Sequence, residues 1–76
     1  MAATSPATQS DLEKLATTVR IRERIVQVTA EQLLDALDSG DEVMVDITRR
    51  SLRDALTEAR DADNTYWAAW REAVAS

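Results

Sequence analysis

The apolar residues of this chain recur mostly at intervals of three and four, the spacing of an amphipathic helix. Ser10 and Glu13 form a capping box, in which each side chain can satisfy a backbone N–H at a helix start. Leu12 and Val19 then follow at helical spacing. The pattern predicts a first helix over residues 11–27.

Residues 20–28 support a second interpretation. Their apolar side chains alternate with Arg20, Arg22 and Arg24, as in a half-buried strand. We favour the helix and keep a strand over 20–28 as the alternative.

A second helix is predicted over residues 30–39. Thr29 and Gln32 form another capping box, and Gly40 suits the left-handed position just after a helix. The apolar stripe of this helix consists of Leu33, Leu34 and Leu37.

The segment that follows Gly40 has the alternation of a short strand. Val43, Val45 and Ile47 alternate with more polar residues, which predicts a strand over 43–47. Paired with 20–28, that strand gives a β-α-β-α arrangement as the alternative fold.

A long third helix is predicted over residues 49–74. The segment Asp61–Asn64 has weak helix propensity, but one continuous helix is preferred over two shorter ones. Its apolar stripe contains Leu52, Ala55, Leu56, Ala59, Ala62, Tyr66, Trp67, Trp70 and Val74. The sequence thus predicts a mainly α, small three-helix domain over residues 11–76, preceded by a flexible leader over 1–10.

Composition argues against catalysis. The 76 residues include no Cys and no His, which removes the usual nucleophile–base pairs and the commonest metal ligands. The carboxylates between Asp35 and Asp46 do not have the spacing of a calcium-binding loop. We expect a protein that is not an enzyme and uses no cofactor and no metal. No apolar run could span a membrane and no signal peptide is recognisable, so a cytoplasmic location is expected.

The net charge of −5 is unevenly distributed. Residues 29–48 contain six carboxylates and no cation until Arg49. We interpret this acidic block as a solvated face, and the overall acidity disfavours non-specific binding to nucleic acid.

All three aromatic residues lie within five positions near the C-terminus. They either close a core that has no Phe, or they anchor a partner, since Trp and Tyr dominate interface energetics. We expect Trp67 in the core and Trp70 as the anchor. The leading hypothesis is a non-catalytic protein–protein interaction or assembly protein, acting as a homo-oligomer or as a small subunit of a larger complex. Its partner-binding residues are Tyr66, Trp67, Trp70 and Val74.

The alternative function is a small DNA-binding regulator or antitoxin. Arg49, Arg50 and Arg53 stand at the predicted start of the last helix, where side chains contact phosphates or bases in helix-turn-helix proteins. We favour a different role for these arginines, which is salt bridging to the acidic block just upstream.

Two resemblances accompany these hypotheses. Residues 33–50 contain a predicted helix, Gly40, an alternating apolar segment and then Thr48-Arg49-Arg50. This order resembles the hinge of Phd/YefM-type antitoxins, and the resemblance implies DNA binding. The Gly and strand that follow in that family are replaced here by Ser51-Leu52-Arg53. The order of elements, with a Tyr-Trp pair near the C-terminus, is similar to that of small phage head–tail joining proteins. This similarity implies a role in assembly. No residue role is transferred from either family.

Overall fold

The chain forms two antiparallel helices joined by a tight turn. A computed structural model describes residues 8–75, in which helix α1 spans Gln9–Ser39 and helix α2 spans Glu42–Ala75. The hairpin is a rod with Cα extents of 60 × 16 × 15 Å. The mainly α class is confirmed, whereas the three-helix domain is wrong because the first two predicted helices are one. Within residues 8–75 there is no strand, so the β-α-β-α alternative is wrong as well.

Helix α1 begins earlier than predicted. Thr8 is its N-cap: the Thr8 hydroxyl accepts the Asp11 N–H at 3.1 Å, and the Asp11 carboxylate accepts the Thr8 N–H at 3.2 Å. Ser10 is therefore inside the helix and not its cap. Of the predicted leader, residues 1–7 lie outside the described part of the chain.

The predicted boundary at Thr29 does not exist. Thr29 is buried in the middle of α1, and its hydroxyl donates to the Ile25 carbonyl oxygen at 2.7 Å. This back-bond satisfies the hydroxyl within the helix, so the side chain does not need a free helix start as its partner. The capping-box pattern of Thr29 and Gln32 therefore lies inside a helix and does not mark a helix start.

Both predicted strands are helical. Within residues 20–28 only positions 22 and 26 turn towards α2, and within 43–47 only Val45 does so. A helix satisfies every backbone group within the segment, whereas two isolated short strands would need further packing to persist. Alternation over five residues was too short to distinguish the two structures.

Gly40 ends α1 as predicted. Its φ of 71° and ψ of 20° are left-handed, and the Gly40 and Asp41 N–H groups donate to the Leu37 and Ala36 carbonyl oxygens, each at 3.2 Å. The Asp41 side chain then accepts the Met44 N–H at 3.0 Å. One residue thus closes α1 and the next caps α2, which explains why the connection is so short.

The two helices meet along seams of residues spaced three and four apart, as in an antiparallel coiled coil. Larger side chains dominate the α1 seam and smaller ones the α2 seam. The buried residues in the described chain are small: Thr29, Ala36, Thr48 and Ala55. Seam positions are 12, 15, 19, 22, 26, 29, 33 and 36 in α1, and 45, 48, 52, 55, 59, 62, 66, 69 and 73 in α2.

One ion pair joins the helices near mid-length. Arg22 occupies a seam position, and its guanidinium donates to the Glu58 carboxylate at 2.7 Å. A charged residue in a coiled-coil seam fixes which residues lie opposite each other. Helix α2 is continuous through Asp61–Asn64, as preferred, with Thr65 donating to the Asp61 carbonyl oxygen at 2.9 Å.

Candidate protein-binding surface on the second helix

Trp67, Trp70 and Val74 form an exposed apolar surface near the end of α2, here called the Trp surface. They are spaced three and four residues apart, so they lie on one line beside the seam. Their exposed fractions are 45%, 40% and 62%. Side chains of this size are usually covered in a folded protein, and an apolar group left in contact with water marks an interaction site.

The aromatic rings of this surface support one another. Trp67 stacks edge to face on Trp70, with ring centroids 5.6 Å apart, and on Tyr66, with centroids 5.2 Å apart. Tyr66 itself is a half-buried seam residue. The ladder therefore holds Trp67 between two other rings and limits its rotamers, so less side-chain entropy is lost when a partner binds.

The prediction that Trp67 belongs to the core is wrong. The predicted apolar stripe combined residues of two neighbouring sides of α2. The seam side holds Tyr66, Ala69 and Ala73, whereas Trp67 and Trp70 are one position away from it. Small residues on the seam let the helices approach closely, and the larger indoles stay outside the contact.

The same line along α2 continues into a basic segment. Arg49, Arg53 and Arg60 surround Leu56 along a shallow groove, and positions 49, 53, 56, 60, 63, 67, 70 and 74 alternate in spacing by four and three. Arg60 was missed by the sequence analysis, although this spacing contained the signal. The two predicted sites, arginines and tryptophans, therefore share one side of one helix.

Arg50 does not belong to this side. Its guanidinium donates to Asp46, one turn earlier, at 2.9 Å, as the salt-bridging interpretation predicted. The predicted placement of these arginines at a helix start is wrong, because α2 already begins at Glu42. They occupy the second and third turns, where the helix dipole has little effect.

An open groove of about 480 Å³ runs between the helices next to this side of α2. Leu56, Ala59 and Arg60 contribute one wall, and Val19, Glu23 and Val26 of α1 the other. The groove is an elongated surface depression, of the kind that accepts a side chain or a helix of a partner.

Further apolar residues are exposed elsewhere on the hairpin. Ile21, Ile25 and Val28 lie on α1 on the side away from the Trp surface, and Leu34, Leu37, Met44 and Ile47 lie near the turn. The acidic block surrounds this closed end of the rod, since residues 31–46 lie on both sides of Gly40.

Within 8–75, no group of three or more Cys, Asp or Glu side chains is arranged to hold a metal ion. Neither α1 nor α2 contains an apolar stretch sufficient to cross a bilayer.

Comparison with protein-family models, with curated proteins and with solved structures finds no match to this chain.

Proposed function

We propose that the chain is a non-catalytic interaction protein that works in a protein assembly, as a homo-oligomer or as a small subunit of a larger complex. The observation that carries the proposal is the exposure of Trp67 and Trp70 on a rigid helix, at 45% and 40%. A protein partner that covers both indoles gains much apolar contact for little lost conformational freedom.

The length of the interaction surface supports this proposal. Arg49, Arg53 and Arg60 precede the tryptophans on the same side of α2, and Arg49 is about 31 Å from Trp70 at 1.5 Å per residue. A partner that fits this side has apolar residues opposite the indoles and carboxylates opposite the arginines. An amphipathic acidic helix, lying along α2, has this chemistry.

The test replaces Trp70 by Ala. Trp70→Ala should weaken association with the assembly partner by about 30-fold or more, which is the effect of losing a hot spot. The reason is that removing the indole leaves a cavity in the contact. The helix content should stay close to wild type, since Trp70 lies beside the seam and is not one of the residues buried between the helices. Affinity is measured by titration against the partner recovered from the native host, and helix content by circular dichroism.

Val43→Ala is the matched control, because Val43 is an exposed apolar residue far from the Trp surface, at 69% exposure. It should leave the affinity unchanged. If Trp70→Ala unfolds the chain, or binds as well as Val43→Ala does, the Trp surface is not the site of interaction.

A second candidate function is DNA binding, favoured by the alignment of Arg49 and Arg53 with Arg60 on one groove. Three guanidinium groups in a row could follow a phosphate backbone. A titration with duplex DNA at two salt concentrations decides it: tight, sequence-selective binding that falls steeply with salt supports a DNA-binding regulator. Binding that is weak at both concentrations, as expected from the net charge of −5, excludes it.

A further inference from the structure

Helix α1 carries a second line of residues, away from α2, with the same alternating spacing as its seam. We call it the α1 outer stripe. All of its residues are exposed, and the three in its centre are large and apolar, with Ile21, Ile25 and Val28 exposed at 55%, 41% and 38%. Between residues 14 and 35 the stripe consists of Lys14, Thr18, Ile21, Ile25, Val28, Gln32 and Asp35.

The chemistry of this stripe is symmetric about Ile25. On either side come an apolar residue, then a neutral polar residue, then a charge, and the two charges have opposite sign. When two copies run in opposite directions, the pairs across the contact are Lys14 with Asp35, Thr18 with Gln32, Ile21 with Val28, and Ile25 with itself. Such self-complementarity favours a second copy of the chain over a different protein as the partner of this stripe.

We propose that a second copy of the chain packs its α1 antiparallel on the α1 outer stripe, with Ile25 at the two-fold axis. The contact deepens the proposed interaction function, on which it rests. It assigns self-association to α1, and leaves the Trp surface on the other side of the hairpin free for a different protein.

Charge selects the antiparallel arrangement. It forms two Lys14–Asp35 pairs, whereas parallel copies would oppose like charges at both positions. It also places the two acidic closed ends at opposite ends of the rod, whose length is 60 Å. Ile25 lies close to the midpoint of Gln9–Ser39, so the two α1 helices overlap along nearly their full length.

The elongated shape leaves much surface available for contact. The accessible surface of the chain is 5796 Å², whereas a compact monomer of this mass exposes roughly 4,600 Å².

Carboxylates on α2 confine the contact to α1. The seam spacing places Asp54, Glu58 and Asp61 on the same side of the hairpin as the α1 outer stripe. Glu58 is bonded to Arg22, and the two aspartates are exposed. A two-fold axis perpendicular to α1 places the α2 helices of the two copies on the same side of the paired α1 helices. Repulsion between these acids keeps the two α2 helices apart, so the contact is made by α1.

The two-fold axis makes a direct test by cross-linking possible, because the chain contains no Cys. Ile25→Cys should oxidise to a disulfide-linked dimer in the full-length chain, since the two copies of position 25 meet. Thr18→Cys should not, because its two copies are about 21 Å apart, at 1.5 Å per residue, and a disulfide joins Cα atoms within about 7 Å. Equal cross-linking at both positions would show parallel copies and overturn the proposal.

A second measurement follows mass by light scattering over a concentration series. Wild type should become a dimer, and Ile25→Glu should raise the dimer dissociation constant about a hundredfold or more, because it buries two carboxylates at the axis. Val43→Glu, an equal change at an exposed residue outside the stripe, should leave it unchanged. Lys14→Asp and Asp35→Lys should each weaken the dimer, and the double variant should restore it. A wild type that stays monomeric at millimolar concentration contradicts the proposal.

Trp70→Ala separates this proposal from the proposed function. It should retain the dimer mass while losing the other partner. If Trp70→Ala loses the dimer and Ile25→Glu keeps it, self-association runs through the Trp surface, so the α1 contact is wrong and the interaction function stands. If both variants associate as wild type does, both surfaces are wrong; if wild type binds neither a second copy nor another protein, the interaction function itself is wrong.

Discussion

Threonine occurs repeatedly inside both helices, although it is a weak helix former. Each hydroxyl is satisfied in the same way: at positions 17, 18, 29, 48, 57 and 65 it donates to the carbonyl oxygen four residues earlier. Thr29 and Thr48 can therefore be buried in the seam, where their exposed fractions are only 7% and 4%. A threonine in this chain is a poor indicator of a helix boundary for that reason.

Gly40 is the residue at which one substitution tests the connection between the helices. Its φ is 71°, and no atom lies within 4 Å of the position that a Cβ would take. Gly40→Ala should therefore destabilise the chain only through backbone conformation, by about 1–2 kcal/mol. The free energy of unfolding is measured by urea denaturation.

Gly40→Asn is the matched control, since Asn tolerates the left-handed region better than Ala does. It should cost clearly less than Gly40→Ala. If Ala were tolerated as well as Gly, the turn would not depend on a left-handed residue.

At the scale of the elements, the main difference between the structure and the sequence prediction is that α1 is one continuous helix and not two. In a helix starting at Ala30, residue 31 is in the first turn, where Pro is tolerated because its N–H has no partner there. In the continuous helix Gln9–Ser39, the same residue is in the interior. Glu31 is exposed, so its replacement acts through the backbone alone.

Glu31→Pro should therefore destabilise the hairpin by about 3 kcal/mol or more, by removing a hydrogen bond and kinking α1. Thermal unfolding followed by circular dichroism measures the effect, with Glu31→Ala as the control that retains the helix. A Glu31→Pro chain that melts like the control would support two helices in place of α1.

The helix end at Gly40 was better predicted than the helix starts, whereas the end predicted at residue 27 lies inside α1. Gly40 was recognised because one residue type is strongly favoured at one conformation. Starts are marked by Ser, Thr, Asp and Asn, which also occur inside helices, and this chain has three such patterns near α1, at Thr8, Ser10 and Thr29. Thr8 is the cap that the structure uses.

At the scale of the whole molecule, two helices bury few residues. Large apolar side chains remain exposed on both sides of the rod, and the buried positions among residues 8–75 are all Ala or Thr. A chain of this size has a small stability margin even when compact. The hairpin should accordingly gain stability from association.

The melting temperature should therefore rise with protein concentration, by roughly 5–10 °C over a hundredfold range, because mass action favours the associated folded state. Calorimetry or circular dichroism over such a series measures the shift. Ile25→Glu should abolish the rise, while Val43→Glu should preserve it. A concentration-independent, cooperative transition in wild type would show that the hairpin is stable alone.

Sequence by itself determined that the chain is mainly helical and that a helix stops at Gly40, and it favoured a last helix that runs through Asp61–Asn64. These features depend on local spacing and on the conformational preferences of single residues. The aromatic cluster and the arginines were also recognisable as candidate residues, because their side-chain chemistry is independent of the fold.

Only the tertiary structure decided which side of each helix is covered. Both helices have apolar residues on more than one side. The periodicity of the sequence does not show which of these sides faces the other helix. The larger residues of the α1 seam fit the small residues Ala55, Ala59 and Ala62 of α2, and this fit excludes Trp67 and Trp70 from the contact. Packing between residues distant in sequence selected that side, and a local pattern contains no information about its partner.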